Sequence, residues 1–193
     1  MIRPPRIIAL YLIAVLLWLP FRAEGALGQG EPEEKRRMAK QLYRIGYFMT
    51  LAGRYEEAIR LLTRSLEIEP TAEAYTFLGW TYSHMRDYTR AIEEAEKAIR
   101  IDPDFGNPYN DIGVYLIELG REDEAIPYLE RAMRAKRYCC YQFPHFNLGR
   151  IYLKKGMFEQ ARREFQRSLA IDPDYAPARR ALELLEEAPA REI

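Results

Sequence analysis

The chain has 193 residues, room for one or at most two domains, and 48% hydrophobic with 30% charged residues is an ordinary globular balance. Its 29 basic and 29 acidic residues cancel, so no strong basic field points to nucleic acid. Two cysteines exclude a multi-bridge framework, and the fold must hold by packing.

The first 25 residues differ from the rest. Arg3 and Arg6 precede an unbroken apolar run, Ile7 to Leu19, which Pro20 stops before the small-residue stretch "FRAEGALGQG". This three-part pattern predicts a secretory signal peptide over 1–25, with cleavage after Gly25 or Gly28. The alternative is a short membrane anchor, although 13 residues fall short of the roughly 20 that a spanning helix needs. Removal would leave 26 basic and 28 acidic residues, a net charge of −2. Export would place the cysteines in an oxidising compartment. Residues 26–31 read as a flexible lead. Glu31-Pro32-Glu33-Glu34 then marks a helix start upstream of Ala39, because acidic groups suit the positive end of a helix dipole.

Four segments that follow align with one another, as units of about 39–71, 72–105, 106–141 and 142–175. Glycines recur at Gly46, Gly79, Gly113 and Gly149, at intervals of 33, 34 and 36. Twelve residues after each stands Ala58, Ala91, Ala125 or Ala161. Seven further on comes Ser65, Ala98, Ala132 or Ser168. Within each unit apolar residues recur at helical spacing in two runs, for example Tyr75, Leu78, Tyr82 and then Ala91, Ala95, Ala98. Gly53, Asp87, Gly120 and Gly156 mark the turn between the runs. The small residues let helices approach closely, so these eight Gly and Ala positions are assigned to repeat packing. Three units end in Ile-acid-Pro, where proline blocks continuation of the helix. Residues 176–193 hold one more amphipathic helix and a tail, fit to close the array.

This pattern resembles the tetratricopeptide repeat family: Leu or Ile before the Gly, Tyr82, Leu116 and Tyr152 three residues after it, the Ala pair and the terminal Pro. The terminal Pro is missing in unit three, and Arg86-Asp87 stands where unit two should have its turn glycine. The resemblance implies an all-α fold, a right-handed superhelical α-solenoid of four helix-turn-helix repeats plus a C-terminal capping helix. It also implies that first helices line a concave groove that binds peptides or partner helices. Carried onto this register, the groove candidates are Tyr43, Tyr47, Trp80, His84, Asn110, Asn147 and Arg150, with Thr50, Thr76, Ser83, Asn107, Val114, Ile117, Phe146 and Lys154 beside them. Some family members clamp a C-terminal carboxylate with Lys and Asn. Here those positions hold Tyr43, Tyr47, Phe77, Asn107 and Asp111, so a chaperone-tail receptor is not expected.

Chemistry-bearing motifs are scarce. The chain has no glycine-rich phosphate loop, HExxH or CxxC, and it is expected to be no enzyme, with no cofactor and no catalytic residue. The longest interval falls over "RAKRYCCYQFPHFNLG" (134–149), where Cys139, Cys140 and His145 gather. Three ligands so spaced suit zinc poorly, and no metal is assigned. Adjacent Cα atoms lie closer than a disulfide ordinarily allows, so the leading expectation is two thiols packed under a tyrosine-rich loop, with a strained Cys139–Cys140 bond or an intermolecular bridge as the alternatives. The join itself is expected to carry a bend or a contact.

The reading is an exported, non-catalytic adaptor or scaffold, periplasmic or secreted, that binds a protein partner in its groove. Nucleic acid is not a partner, a membrane enters only if the N-terminal segment is uncleaved, and the oligomeric state is left open. One alternative is a periplasmic assembly factor for a pilus or secretion machine, whose architecture the array resembles. Another is a redox or metal-binding protein centred on the adjacent cysteines.

Overall fold

A computed structural model describes residues 32–187. The predicted signal segment and lead therefore lie outside the described residues, as does the end of the C-terminal tail. Contacts divide the chain at Lys35. Only the opening turn of the first helix is described on the N-terminal side, and the array lies on the other.

The described residues form nine α-helices and no strand: α1 (Pro32–Leu51), α2 (Tyr55–Ile68), α3 (Ala72–His84), α4 (Tyr88–Ile101), α5 (Asn107–Glu118), α6 (Glu122–Arg134), α7 (Gln142–Lys154), α8 (Phe158–Ile171) and α9 (Ala176–Glu187). Helices pair in chain order as α3 with α4, α5 with α6 and α7 with α8, and α9 packs on α8. First helices also touch one another, α3 on α5 and α5 on α7. Such nearest-neighbour stacking makes an all-α solenoid.

The turns inside the four pairs share one closure. The second residue after each first helix's C-cap sends its N–H back five residues: Arg54 to the Met49 carbonyl at 2.9 Å, Asp87 to Tyr82 at 3.0 Å, Arg121 to Leu116 at 2.8 Å and Met157 to Tyr152 at 2.9 Å. The closure needs a left-handed residue just before that donor. Gly53, Gly120 and Gly156 supply it at φ +74°, +73° and +71°. In unit two the residue is Arg86 at φ 62°, not Asp87, which corrects the sequence assignment. Asp87 instead caps α4: its carboxylate accepts from the Arg90 N–H at 3.0 Å.

The repeated small residues have a geometric reason. Position Gly+16 is a knob from the second helix that fills the space over the glycine. Leu62 lies over Gly46, Leu129 over Gly113 and Phe165 over Gly149, and a Cβ on any of these glycines would come within 2.7 Å of the knob. Unit two has Ala95 as the knob, and there the helices close further: a Cβ on Gly79 would meet the Ala91 carbonyl oxygen at 2.8 Å. Ala58, Ala91, Ala125 and Ala161 are wholly buried. Ser65 and Ser168 are too, and their hydroxyls donate to the Ala39 and Gln142 carbonyls at 2.8 and 2.9 Å, tying second helix to first. The core is a string of such clusters, the largest built from Ala95, Ile112, Leu116, Ala125, Leu129, Leu148 and Ile151.

Candidate peptide-binding face and the join between units three and four

The first helices of units one and two carry an aromatic row. Tyr47 stacks on Trp80 with centroids 5.4 Å apart, Trp80 meets the His84 ring edge-on at 4.6 Å, and Phe77 lies between Tyr43 and Tyr47 at 5.8 and 5.0 Å. Tyr43, Tyr47 and Trp80 are half-buried and His84 is exposed. Partial burial, with help from the Glu73 charge, raises the Tyr43 hydroxyl above its ordinary value. Aromatic pairs in this geometry add about 0.5–1.5 kcal/mol beyond burial, so the row is a preformed, rigid surface. Thr50 and Thr76 do not belong to it. Both are buried: the Thr50 hydroxyl donates to the Gly46 carbonyl and shares a 2.7 Å hydrogen bond with Thr81, and Thr76 donates to Ala72. Hydroxyls at these positions satisfy themselves on the preceding helical turn.

Units three and four carry a polar cluster. Asn147 Nδ2 donates to Asn110 Oδ1 at 3.2 Å, and Arg150 reaches Asn147 Oδ1 at 3.3 Å and Glu118 at 3.1 Å. Asn110 and Asn147 are buried, and the Asn110 amide has one further contact of its own. It points weakly at Asp111, 3.5 Å away. Burial pushes the Asp111 carboxyl up to about 7, against that one hydrogen bond. Tyr115 and Tyr138 stand in reach of its charge, and burial first, then Asp111, raises both hydroxyls. Asp111, Tyr115 and Tyr138 were not among the sequence candidates. A signal was present in part: Asp111 and Tyr115 share a helix face at a spacing of four.

The join between units three and four folds back on its neighbours. Arg137 accepts from the Gly106 N–H and donates to the Asp104 carbonyl, at 3.1 and 2.9 Å. Its guanidinium pairs with Glu73 at 2.9 Å and Asp102 at 3.0 Å and lies over the Phe105 ring at 4.3 Å. Tyr138 rests on Gly106 so closely that a Cβ there would fall 2.5 Å from the ring. Next to it Cys139 and Cys140 are joined by a disulfide, which overturns the expectation of two packed thiols. The Cα–Cα spacing of 3.7 Å lies below the ordinary range, and the two sulfurs are bonded across it. His145 Nδ1 lies 2.7 Å from Glu164 on α8, and among the described residues no three metal-ligating side chains converge.

Tetratricopeptide repeat models match residues 37–104, 107–139 and 143–175. The chain belongs to the tetratricopeptide repeat family. The matches together cover each helix pair, and the break between the last two falls on the disulfide-bearing join. Among sequence relatives, a small glutamine-rich tetratricopeptide repeat-containing protein 2 of Mycosarcoma maydis is 30% identical over 95 residues, 49% of this chain and 27% of that protein. Tetratricopeptide repeat protein 21B of Mus musculus is 26% identical over 163 residues, 78% of this chain and 12% of that one. The chain thus spans about a quarter or less of these relatives. Similar solved structures include PilW, a type IV pilus biogenesis factor (TM-score 0.71, 23% identity, 77% of this chain and 68% of that one). Pseudomonas aeruginosa pilF gives a TM-score of 0.67 at 24% identity over 83% and 79% of the two chains. YrrB, described as a repeat protein with an unusual peptide-binding site, gives 0.59 at 25% identity over 79% and 78%. At these identities the structural likeness establishes the α-solenoid fold.

Proposed function

We propose that this tetratricopeptide repeat protein is an exported, non-catalytic adaptor that binds an extended segment of a partner protein along its first helices. The observation that carries the reading is the bipartite face: the Tyr47–Trp80–His84 row beside the Asn110–Asn147–Arg150 cluster. Rigid aromatics provide contact area at small entropic cost, and amide side chains such as Asn110 and Asn147 suit a peptide backbone. Export rests on the sequence pattern of residues 1–25. In capture of a crosslinked partner from the native host, Trp80→Ala and Arg150→Ala each weaken recovery while helicity is unchanged. Recovery unchanged by both substitutions removes the assignment of this face.

The likeness to PilW and pilF supports a second reading, an envelope assembly factor. Localisation outside the cytoplasm, with crosslinks to components of an envelope machine, would favour it over a soluble scaffold.

A further inference from the structure

Each later first helix is covered from behind by the second helix of the unit before it: α3 by α2, α5 by α4 and α7 by α6, with α9 seated on α8 in the same way. The covering residues recur at i, i+3 and i+7. Ile59, Leu62 and Leu66 of α2 pack with Leu78 of α3. Ile92, Ala95 and Ile99 of α4 pack with Ile112 and Leu116 of α5, and Ile126, Leu129 and Met133 of α6 with Leu148 and Ile151 of α7. The receiving face has its own register, counted from the repeated glycine. Two residues after it stand Thr81, Tyr115 and Ile151, which are 0%, 3% and 1% exposed. One residue before it stand Leu78, Ile112 and Leu148, and five before it Ala74, Pro108 and Pro144, all buried.

The same face of α1 has no described helix behind it. Phe48, two residues after Gly46, is 55% exposed, Gln41 is exposed and Ile45 is only half-buried. Arg44 is exposed as well, although its counterparts Phe77, Asp111 and Asn147 are half-buried or buried. Arg37, Lys40, Arg44 and Phe48 fall on one stripe of the helix, at spacings of three, four and four. Among the described residues the ion pair made by α1 is that of Arg36 with Glu69, so the stripe brings three cations beside an uncovered aromatic ring.

We propose that the face formed by Gln41, Arg44, Ile45 and Phe48 receives an amphipathic helix of a partner protein, aliphatic at i, i+3 and i+7 and flanked by carboxylates. It docks where a preceding second helix sits at the other junctions of the array. The aliphatic spacing is the one the chain uses on itself three times, and the sign follows from the three cations. Like charge disfavours a second copy docked through the same face, since its Arg37, Lys40 and Arg44 would meet these. This surface goes beyond the groove reading and does not rest on it.

The test titrates the isotope-labelled full chain with a synthetic peptide of residues 87–102, the α4 stretch that carries Ile92, Ala95 and Ile99 and has five acidic against three basic residues. The peptide is stapled on the side away from Ile92, because a free helix of this length is marginal in water. Saturable shifts are expected at Gln41, Arg44, Ile45 and Phe48 and not at the Trp80 indole. Serine at both peptide isoleucines, or Phe48→Ser in the chain, should weaken binding at least about tenfold. Phe48 is exposed, so its substitution should leave helicity unchanged. Arg44→Glu should weaken binding of the parent peptide about threefold, and a peptide with Glu93→Lys and Glu96→Lys should recover that loss. Sedimentation of the chain alone over the same concentrations should give one mass, the same with Phe48→Ser. An assembly that Phe48→Ser dissolves gives the face to a second copy and overturns the proposal. So does the absence of saturation, a response confined to Trp80, unchanged affinity in Phe48→Ser, or a charge-reversed peptide that binds Arg44→Glu no better than the parent peptide does. The groove reading keeps its own capture test, which depends on Trp80 and Arg150.

Discussion

Replacing Asp111 by Asn removes one ionisable group and keeps its shape and its neighbour. The folded carboxyl ionises near 7 instead of 3.8, because burial disfavours the anion. At about 1.4 kcal/mol per tenfold, this difference corresponds to an upper limit of about 4 kcal/mol against the ionised form. The side chain is half-buried, and partial access to water lowers the expected effect to about 2 kcal/mol. The folded state holds this proton more tightly than the unfolded state, so stability falls as pH rises from 3.8 to 7 and the full penalty remains above 7. Below 3.8 both states are protonated and the effect vanishes. Urea unfolding of the two proteins at pH 4 and pH 8 isolates the term, because every other titrating group is common to both. Asp111→Asn should match the parent within about 0.5 kcal/mol at pH 4 and exceed it by about 2 kcal/mol at pH 8. A variant less stable than the parent at pH 8 refutes the reasoning and makes Asp111 a structural residue. A gain would mean the carboxylate is kept at a cost to stability.

Gly79→Ala should destabilise by about 2–3 kcal/mol, because its Cβ meets the main-chain oxygen of Ala91, which cannot rotate away. Gly120→Ala, with open space around it but φ +73°, should cost about 1 kcal/mol, and urea midpoints of the two variants give the order. Thiol titration of unreduced, denatured protein should detect no free thiol, and two after reduction; two before reduction would remove the Cys139–Cys140 bond.

Legibility in the sequence followed the range of the interactions. Gly46, Gly113 and Gly149 recur because a knob sixteen residues on needs the space, and both ends of that contact lie in one unit. Local period and small-residue spacing therefore announce it. The unit-two turn was misplaced by one residue because Arg86 occupies a conformation that a glycine would have advertised. Thr50 and Thr76 were placed on the open face because helical spacing names a face without saying what packs on it. Asp111 could be read as a clamp position, yet helical spacing does not say which carboxylate Arg150 meets, and the structure pairs it with Glu118.

The amino-acid sequence by itself determined the helices, their pairing and the family, because those depend on period, turn chemistry and side-chain size within about thirty residues. Tertiary structure alone decided the rest. It carried Arg137 back to Glu73, 64 positions earlier, and seated Tyr138 on Gly106. It joined two neighbouring cysteines, left Asp111 half-buried with one weak hydrogen bond, and buried the Tyr138 hydroxyl without a partner among the described residues. Burial and the supply of partners are properties of how units stack, and a one-dimensional pattern does not encode where a distant charge has already been spent.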